Sequence, residues 1–280
     1  MNKYDKKIEF NIKTHNKVYK RYEKNHGEIY NSIEQKRLRE ELSFALGQVK
    51  LGGDSIKCLD YGCGAGNLTH HMLALNNRNL ITLADVSENF LKLVRDRFKE
   101  DAGRLSFVKL NGEDISNIPD NEFDFIATYS VLHHIPDYLK TINEFCRILK
   151  PGGVVYIDHE LSPDFWNKDK NYLEYRALVR KKRIEKERIS RFLTIFSPKT
   201  WFCELKLIFN PRFRIEGDIH VFSDDYIEWF KIKKIFNEKK FKIIKESDYL
   251  LYRRYCPKLF YEKYKNRCND IRSLIVQKDK

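Results

Sequence analysis

What this sequence lacks narrows it first. No run approaches the roughly 20 apolar residues that a membrane-spanning helix needs. The opening segment MNKYDKKIEFNIKTHNK is charged and holds no apolar stretch of signal-peptide length, so a cytoplasmic location is expected. The six cysteines (Cys58, Cys63, Cys146, Cys203, Cys256 and Cys268) form no CxxC pair and no compact Cys/His cluster of metal-ligand spacing. That pattern speaks against a zinc module or a disulfide scaffold, and predicts buried or incidental thiols with no metal site. Internal repeats and low-complexity linkers are missing as well.

What is present suffices for a packed fold. The 280 residues are 42% hydrophobic, and 19 Phe and 16 Tyr add bulky core material. A net charge of +13 invites a nucleic-acid or anionic-membrane partner. The chain is rich in Lys, Ile and Asn throughout, however, and such a bias raises the pI without a dedicated surface. Residues 168–191 concentrate ten Lys or Arg against four acids. We read them first as a solvated helix and second as an anion-facing surface.

Hydrophobic spacing then orders the chain. Leu38, Leu42, Ala45, Leu46 and Val49 recur at three- and four-residue steps, predicting a helix over 28–49 that stops at Gly52-Gly53. Strands are expected at 56–60, 80–85, 105–110, 123–129 and 154–158, with helices over 68–75, 88–99 and 138–149 between them. Ser87 is a plausible N-cap for the second of these helices. Such alternation indicates a parallel, doubly wound α/β sheet whose strand ends gather on one ligand-binding edge. After Leu161 the alternation stops. Residues 162–222 read as a basic, aromatic insertion of short helical pieces, 224–236 as a helix, and 241–244 and 273–276 as strands that complete the sheet.

The strongest local signal is LDYGCGAGN at 59–67, where a strand turns sharply into a helix. Glycines on alternate positions let backbone approach a ligand, and helix N-terminal amides point at it. The spacing is GxGxG rather than the GxGxxG of nicotinamide-binding turns, because Asn67 stands where the last glycine would be. Residues 56–160 resemble the core of the class I S-adenosylmethionine-dependent methyltransferases, especially the small-molecule branch. The resemblance rests on LDYGCGAG, on Asp85 at the end of the second strand, on NGEDISNIPDNEFDFI, and on SVLHHIPD with ILKPGGVVYIDHE, in that order.

The resemblance implies a seven-stranded, mostly parallel Rossmann-like sheet and S-adenosylmethionine as cofactor. It places Gly62, Cys63 and Gly64 against the methionine portion with Asp60 beneath. Asp85 and Val86 would lie at the ribose, Glu113 or Asp114 at the adenine, and Tyr129 and Ser130 beside the methionine tail. A four-part organisation follows: a helical lid over 1–52, the cofactor-binding core over 53–161, an insertion shaping the acceptor pocket over 162–222, and completion of the sheet over 223–280. Tyr22 and His26 belong to the lid, with His26, Tyr30 and Glu34 on one face if its helix extends back that far.

The expected reaction moves a methyl group to a hydroxyl of a small molecule or carbohydrate unit, with nitrogen or carbon as second choices. Deprotonating a hydroxyl needs a base. His134 is the first candidate and His159 the second, with His133 and Glu160 beside them and a His220–Asp218 pair held in reserve. Ala127-Thr128-Tyr129-Ser130 stands where a base-modifying nucleic-acid methyltransferase would carry an NPPY-like motif. That argues against amino-group methylation of nucleic-acid bases; RNA, invited by the +13 charge and the 168–191 stretch, is the alternative acceptor, a lipid-linked acceptor at a membrane surface a variant of the first reading, and a non-catalytic cofactor-binding scaffold the last. The sequence does not give the oligomeric state.

Overall fold

The computed structural model describes residues 3–50, 55–112, 114–167, 169–194 and 217–280. Its centre is a seven-stranded sheet in the order β3-β2-β1-β4-β5-β9-β8. The strands are β1 (Ile56–Tyr61), β2 (Asn79–Asp85), β3 (Leu105–Lys109), β4 (Phe123–Tyr129), β5 (Leu149–Leu161), β8 (Phe241–Tyr249) and β9 (Ile271–Lys278). β1 through β5 pair in parallel, and β9 runs antiparallel to both β5 and β8. Every residue of β4 is buried, as a parallel strand covered on both faces requires.

Side-chain alternation splits the core into two layers. Cys58 and Phe125 face Leu38 and Leu42 of α3 (Ser32–Leu46), Met72 of α4 (Asn67–Leu75) and Val94 of α5 (Glu88–Arg97). Leu59 and Ile126 face Ile142 and Phe145 of α6 (Tyr138–Ile148) and Ile232 and Phe236 of α8 (Trp229–Glu238). β1 pairs with β2 on one side and β4 on the other, so the chain winds outward in both directions from the β1/β4 boundary. The crevice beyond the carboxyl ends of these two strands is the default ligand site of such a sheet.

The doubly wound sheet is therefore as expected, while several elements differ. The N-terminal segment folds as α1 (Lys3–Val18) and the short α2 (Tyr22–Asn25). The helix expected over 28–49 begins only at Ser32, because the Asn31 side chain accepts from the amides of Ile33 and Glu34 and caps it. His26, Tyr30 and Glu34 thus do not share a helical face. Among the described residues of the insertion, a short 3-10 turn (Pro163–Phe165) is followed by a long helix, α7 (Lys170–Thr194). Tyr172 and Tyr175 of α7 bury against Leu250, Cys256 and Tyr264 of α9 (Lys258–Tyr264) and its flanks, forming a separate small core. Arg180, Lys181 and Glu185 are exposed, the solvated face the composition predicts.

The helix expected over 224–236 begins only at Trp229 as α8; Asp225–Tyr226 before it is a short strand, β7, paired with β6 (Val221–Phe222). β5 starts five residues early because Leu149 already pairs with Phe123 before the Pro151-Gly152-Gly153 irregularity. Trp201, Phe202, Phe209 and Phe213 of the insertion lie outside the described residues, as do Gly52, Gly53 and Glu113.

Candidate active site

The cleft forms where β1 hands over to α4. Gly62 has φ +73° and Gly64 φ +49°, a left-handed region that glycine enters without strain. A Cβ at Gly62 would lie 2.5 Å from Val131 Cγ2, whereas one at Gly64 would meet only the Gly62 carbonyl oxygen, at 3.9 Å. The first glycine thus lets the loop pack against the β4 end, and the second leaves space above the backbone. Asp60 closes the turn from below: its Oδ2 accepts from the Thr69 amide (3.1 Å) and hydroxyl (2.6 Å). Burial pushes the Asp60 carboxyl up to about 7, only partly offset by the Thr69 hydrogen bonds.

Asp85 ends β2 and is 6% exposed. Its Oδ2 accepts from the Gly64 amide at 2.9 Å and its Oδ1 from the Ser87 amide at 2.7 Å. Each carboxylate oxygen keeps a further lone pair. Asp85 lines a cleft with Gly62, Gly64, Val86, Tyr129 and Ser130. A narrower recess continues past Asp60, Cys63 and Tyr30. Of the residues the sequence proposed for the cofactor, Asp60, Gly62, Cys63, Gly64, Asp85, Val86, Tyr129, Ser130 and Tyr22 all border one or both hollows.

Two do not. Asp114 turns its carboxylate onto the Ser116 hydroxyl (3.0 Å) and lies 3.6 Å from Lys140, so Leu110 and Gly112 border the cleft in its place. His26 stacks behind Tyr22, at 4.3 Å between ring centroids, and Tyr22 in turn meets the edge of Phe90.

Sequence reasoning expected a helical lid over 1–52 but did not name the residues of α1 that line the cleft. Ile8, Asn11, Ile12 and His15 of α1 line the cleft opposite the glycine loop. Asn16 fixes the helix there: its Oδ1 accepts from the Ser87 hydroxyl at 2.7 Å, and its carbonyl accepts from Asn89 Nδ2 at 2.8 Å. The available signal was the spacing of Ile8, Ile12 and His15, which a 3.6-residue period puts on one face.

The four catalytic candidates separate. His134 lines the cleft, 5.0 Å from the His15 ring in an edge-on contact. Burial, then the neighbouring His133 and His15 rings, hold its pKa well below the ordinary histidine value, so the ring is neutral and a weak proton acceptor. His133 is tied by Nδ1 to Glu160 Oε2 at 2.8 Å. Glu160 Oε1 accepts from the Val131 and Leu132 amides, at 2.9 and 2.8 Å. Glu160 therefore holds the 131–134 turn in place and is not a cleft-wall residue. Asp218 lies beside His134 and His133, while His220 pairs with Asp225 at 2.5 Å, so the reserve pair does not form.

His159 also leaves the ligand edge. It has φ +63° and stacks on Tyr129 at 4.7 Å, inside a polar cluster behind the cleft. Arg37 of α3 bridges Glu34 (2.5 Å) and Asp158 (2.8 Å) and stacks on Tyr249 at 3.8 Å. The Tyr129 hydroxyl donates to Glu34 Oε1 at 2.9 Å, and Tyr156 donates to Asp158. Burial pushes the Glu34 carboxyl up, but Arg37 and His159 more than offset it and leave it at about 2. The cluster clamps α3 to the ends of β4 and β5.

The pattern of known proteins agrees with this geometry. A methyltransferase-domain family model matches residues 59–157. Demethylmenaquinone methyltransferase of Staphylococcus aureus is 37% identical over 103 residues, which cover 36% of this chain and 41% of the relative. The ubiquinone/menaquinone biosynthesis C-methyltransferase of Shewanella sediminis is 33% identical over 105 residues, covering 36% and 41%. The match thus spans about two fifths of these relatives. Among solved structures, an S-adenosylmethionine-dependent methyltransferase of Leishmania major superimposes with a TM-score of 0.52 at 14% identity, covering 98% of this chain and 82% of that one. A Galdieria sulphuraria protein assigned as a sarcosine dimethylglycine methyltransferase gives 0.52 at 16%, covering 88% and 85%. Sheet order, glycine turn and sequence match together define a class I methyltransferase core whose cofactor is S-adenosylmethionine. Residues 59–157 thus form a methyltransferase domain of that class.

Proposed function

We propose that the chain transfers a methyl group from S-adenosylmethionine to a hydroxyl oxygen of a small molecule that enters between α1 and the 130–136 turn. The observation that carries the reading is Asp85, a buried carboxylate held open at the cleft wall by two backbone amides. Two lone pairs remain there to accept from a ribose diol. Tyr129 and Ser130 would flank the methionine tail, and Leu110, Val86 and Phe90 offer an apolar slot for the base. Bound there, the cofactor supplies an electrophilic methyl: the acceptor's lone pair forms the new bond as the C–S pair returns to sulfur.

The residues of this chain align and desolvate the partners. α1 covers the cleft, with Ile8 and Ile12 excluding water. Tyr129, fixed by Glu34, and the 131–134 turn, fixed by Glu160, set the wall against which the acceptor rests.

Carbon is the second reading, favoured by the quinone-pathway names of the two relatives. In both readings the acceptor carries an ionisable hydroxyl: in the oxygen reading its proton leaves to solvent, and in the carbon reading the proton on the methylated ring carbon leaves and the hydroxyl is restored. Incubation with methyl-labelled cofactor and a panel of phenols, quinols and sugars tests this. Label on oxygen supports the proposal and label on ring carbon moves it to the second reading. Label only in added RNA would overturn both.

A further inference from the structure

Beside the acceptor end of the cleft, two chain segments bring His133, His134 and Asp218 together. One ligand atom from each lies within 4.8 Å of the other two. We propose that these three side chains bind one divalent transition-metal ion of the zinc type at the cleft wall, leaving a coordination position for an oxygen of the acceptor.

The donor set is two imidazoles and one carboxylate, the three-ligand composition of open catalytic zinc and iron sites. His134 Nδ1 is buried without a hydrogen-bond partner, and Asp218 Oδ1 lies 3.4 Å away. Two tetrahedral ligands of zinc sit about 3.3 Å apart, so this pair is already spaced for an ion. His133 Nε2 is 4.0 Å from the same oxygen. Its other nitrogen is held by Glu160 at 2.8 Å. A carboxylate behind a ligating histidine fixes ring and tautomer and raises the ligand's basicity.

The backbone is fastened too. The Ile219 and His220 amides donate to the His133 carbonyl at 2.9 and 3.1 Å, which holds the Asp218 segment against the turn. Asn11 Nδ2 donates to the His134 carbonyl at 2.7 Å, joining α1 to the same point. His134 itself lines the cleft, so an ion there faces the acceptor space. Its role toward the acceptor rests on the proposed methyl transfer: a bound cation lowers the pKa of a coordinated hydroxyl, work that the neutral His134 performs poorly alone. Ion binding does not depend on that reading.

Tag-free full-length chain, stripped with a chelator, is titrated with Co²⁺ alone while its visible absorption is followed. The proposal predicts a saturating d–d band at one ion per chain. His134→Ala and Asp218→Asn should weaken the ion by about 100-fold or more, and Glu160→Gln by about 10-fold as a supporting carboxylate. Thermal melts and S-adenosylmethionine calorimetry on each variant show that the fold and cofactor site survive. If a variant fails to fold, competition of Zn²⁺ against Co²⁺ on the wild type, displacing the band at one equivalent, carries the test. No saturable band in the wild type, or an unchanged band in folded His134→Ala, overturns the site. Cofactor binding without cobalt binding removes the metal and leaves the methyltransferase reading standing.

Discussion

The two ends of the cleft are built in different ways. The end we propose for the cofactor is assembled from neighbours in sequence: Asp60, Gly62, Gly64 and Asp85 fall within two successive strand–turn–helix units, and their contacts are mostly hydrogen bonds to backbone. The end we propose for the acceptor is assembled from distant pieces: α1, the 131–134 turn, Glu160 and Asp218 meet through side chains separated by up to 123 positions. Local backbone geometry makes the first end a property of the fold. Long-range side-chain packing makes the second end a property of this chain, where specificity is grafted onto a common frame.

That contrast can be broken by substitution. Asp85→Ala removes the acceptor of two amides and of the proposed diol. We expect S-adenosylmethionine affinity to fall at least about 100-fold, the cost of about two charge-assisted hydrogen bonds, measured by calorimetry. Gly62→Ala forces a Cβ into Val131 at positive φ, so a loss of about 2–4 kcal/mol is expected in chemical denaturation, with cofactor binding weakened in parallel. An unchanged midpoint would show that the turn is looser than its geometry.

Asp60→Asn sharpens the same end through pH. The folded carboxyl is raised to about 7, so the stability it contributes is full below its unfolded value of 3.8 and lost as pH rises through 7. The Asn variant should therefore gain stability relative to wild type at pH 8, on the order of 1–2 kcal/mol, and little at pH 5. A gain that does not change with pH would contradict the burial argument. Glu34 has the opposite sign. Its pKa is lowered to about 2, so its contribution is present above 4.5 and lost as pH falls from there toward 2. Glu34→Gln should lower the melting temperature at pH 7 and flatten its acid dependence.

The smallest effect is expected for His159→Ala. The ring sits behind Tyr129 and does not line the cleft. Turnover should stay within about fivefold with an unchanged pH profile, since a group that only positions leaves no ionisation in the rate. Loss of the profile's acidic limb would reinstate His159 as the base.

These outcomes follow what the sequence could and could not carry. The parallel strands, Asp85 and the glycine turn were legible because period, turn chemistry and spacing are local. The roof's lining residues were not: in KKIEFNIKTHNK only Ile8 and Ile12 are aliphatic, and the polar majority around them hides a helix face whose burial comes from the cleft below. Asp114 was legible as an acid before an apolar residue, but not the Ser116 hydroxyl that captures it. His159 and Glu160 sit next to each other at a strand end, so alternation sends them to opposite faces, and neither reaches the ligand edge. His134 was found, whereas its partnership with Asp218 depends on a chain return 84 residues later.

The most direct measurement is calorimetric titration of the wild-type chain with S-adenosylhomocysteine, the product form of the cofactor. The account predicts one site of low-micromolar affinity, about −8 kcal/mol. Absence of saturable heat, with the chain shown to be folded, would contradict the assignment of the cleft and the activity built on it.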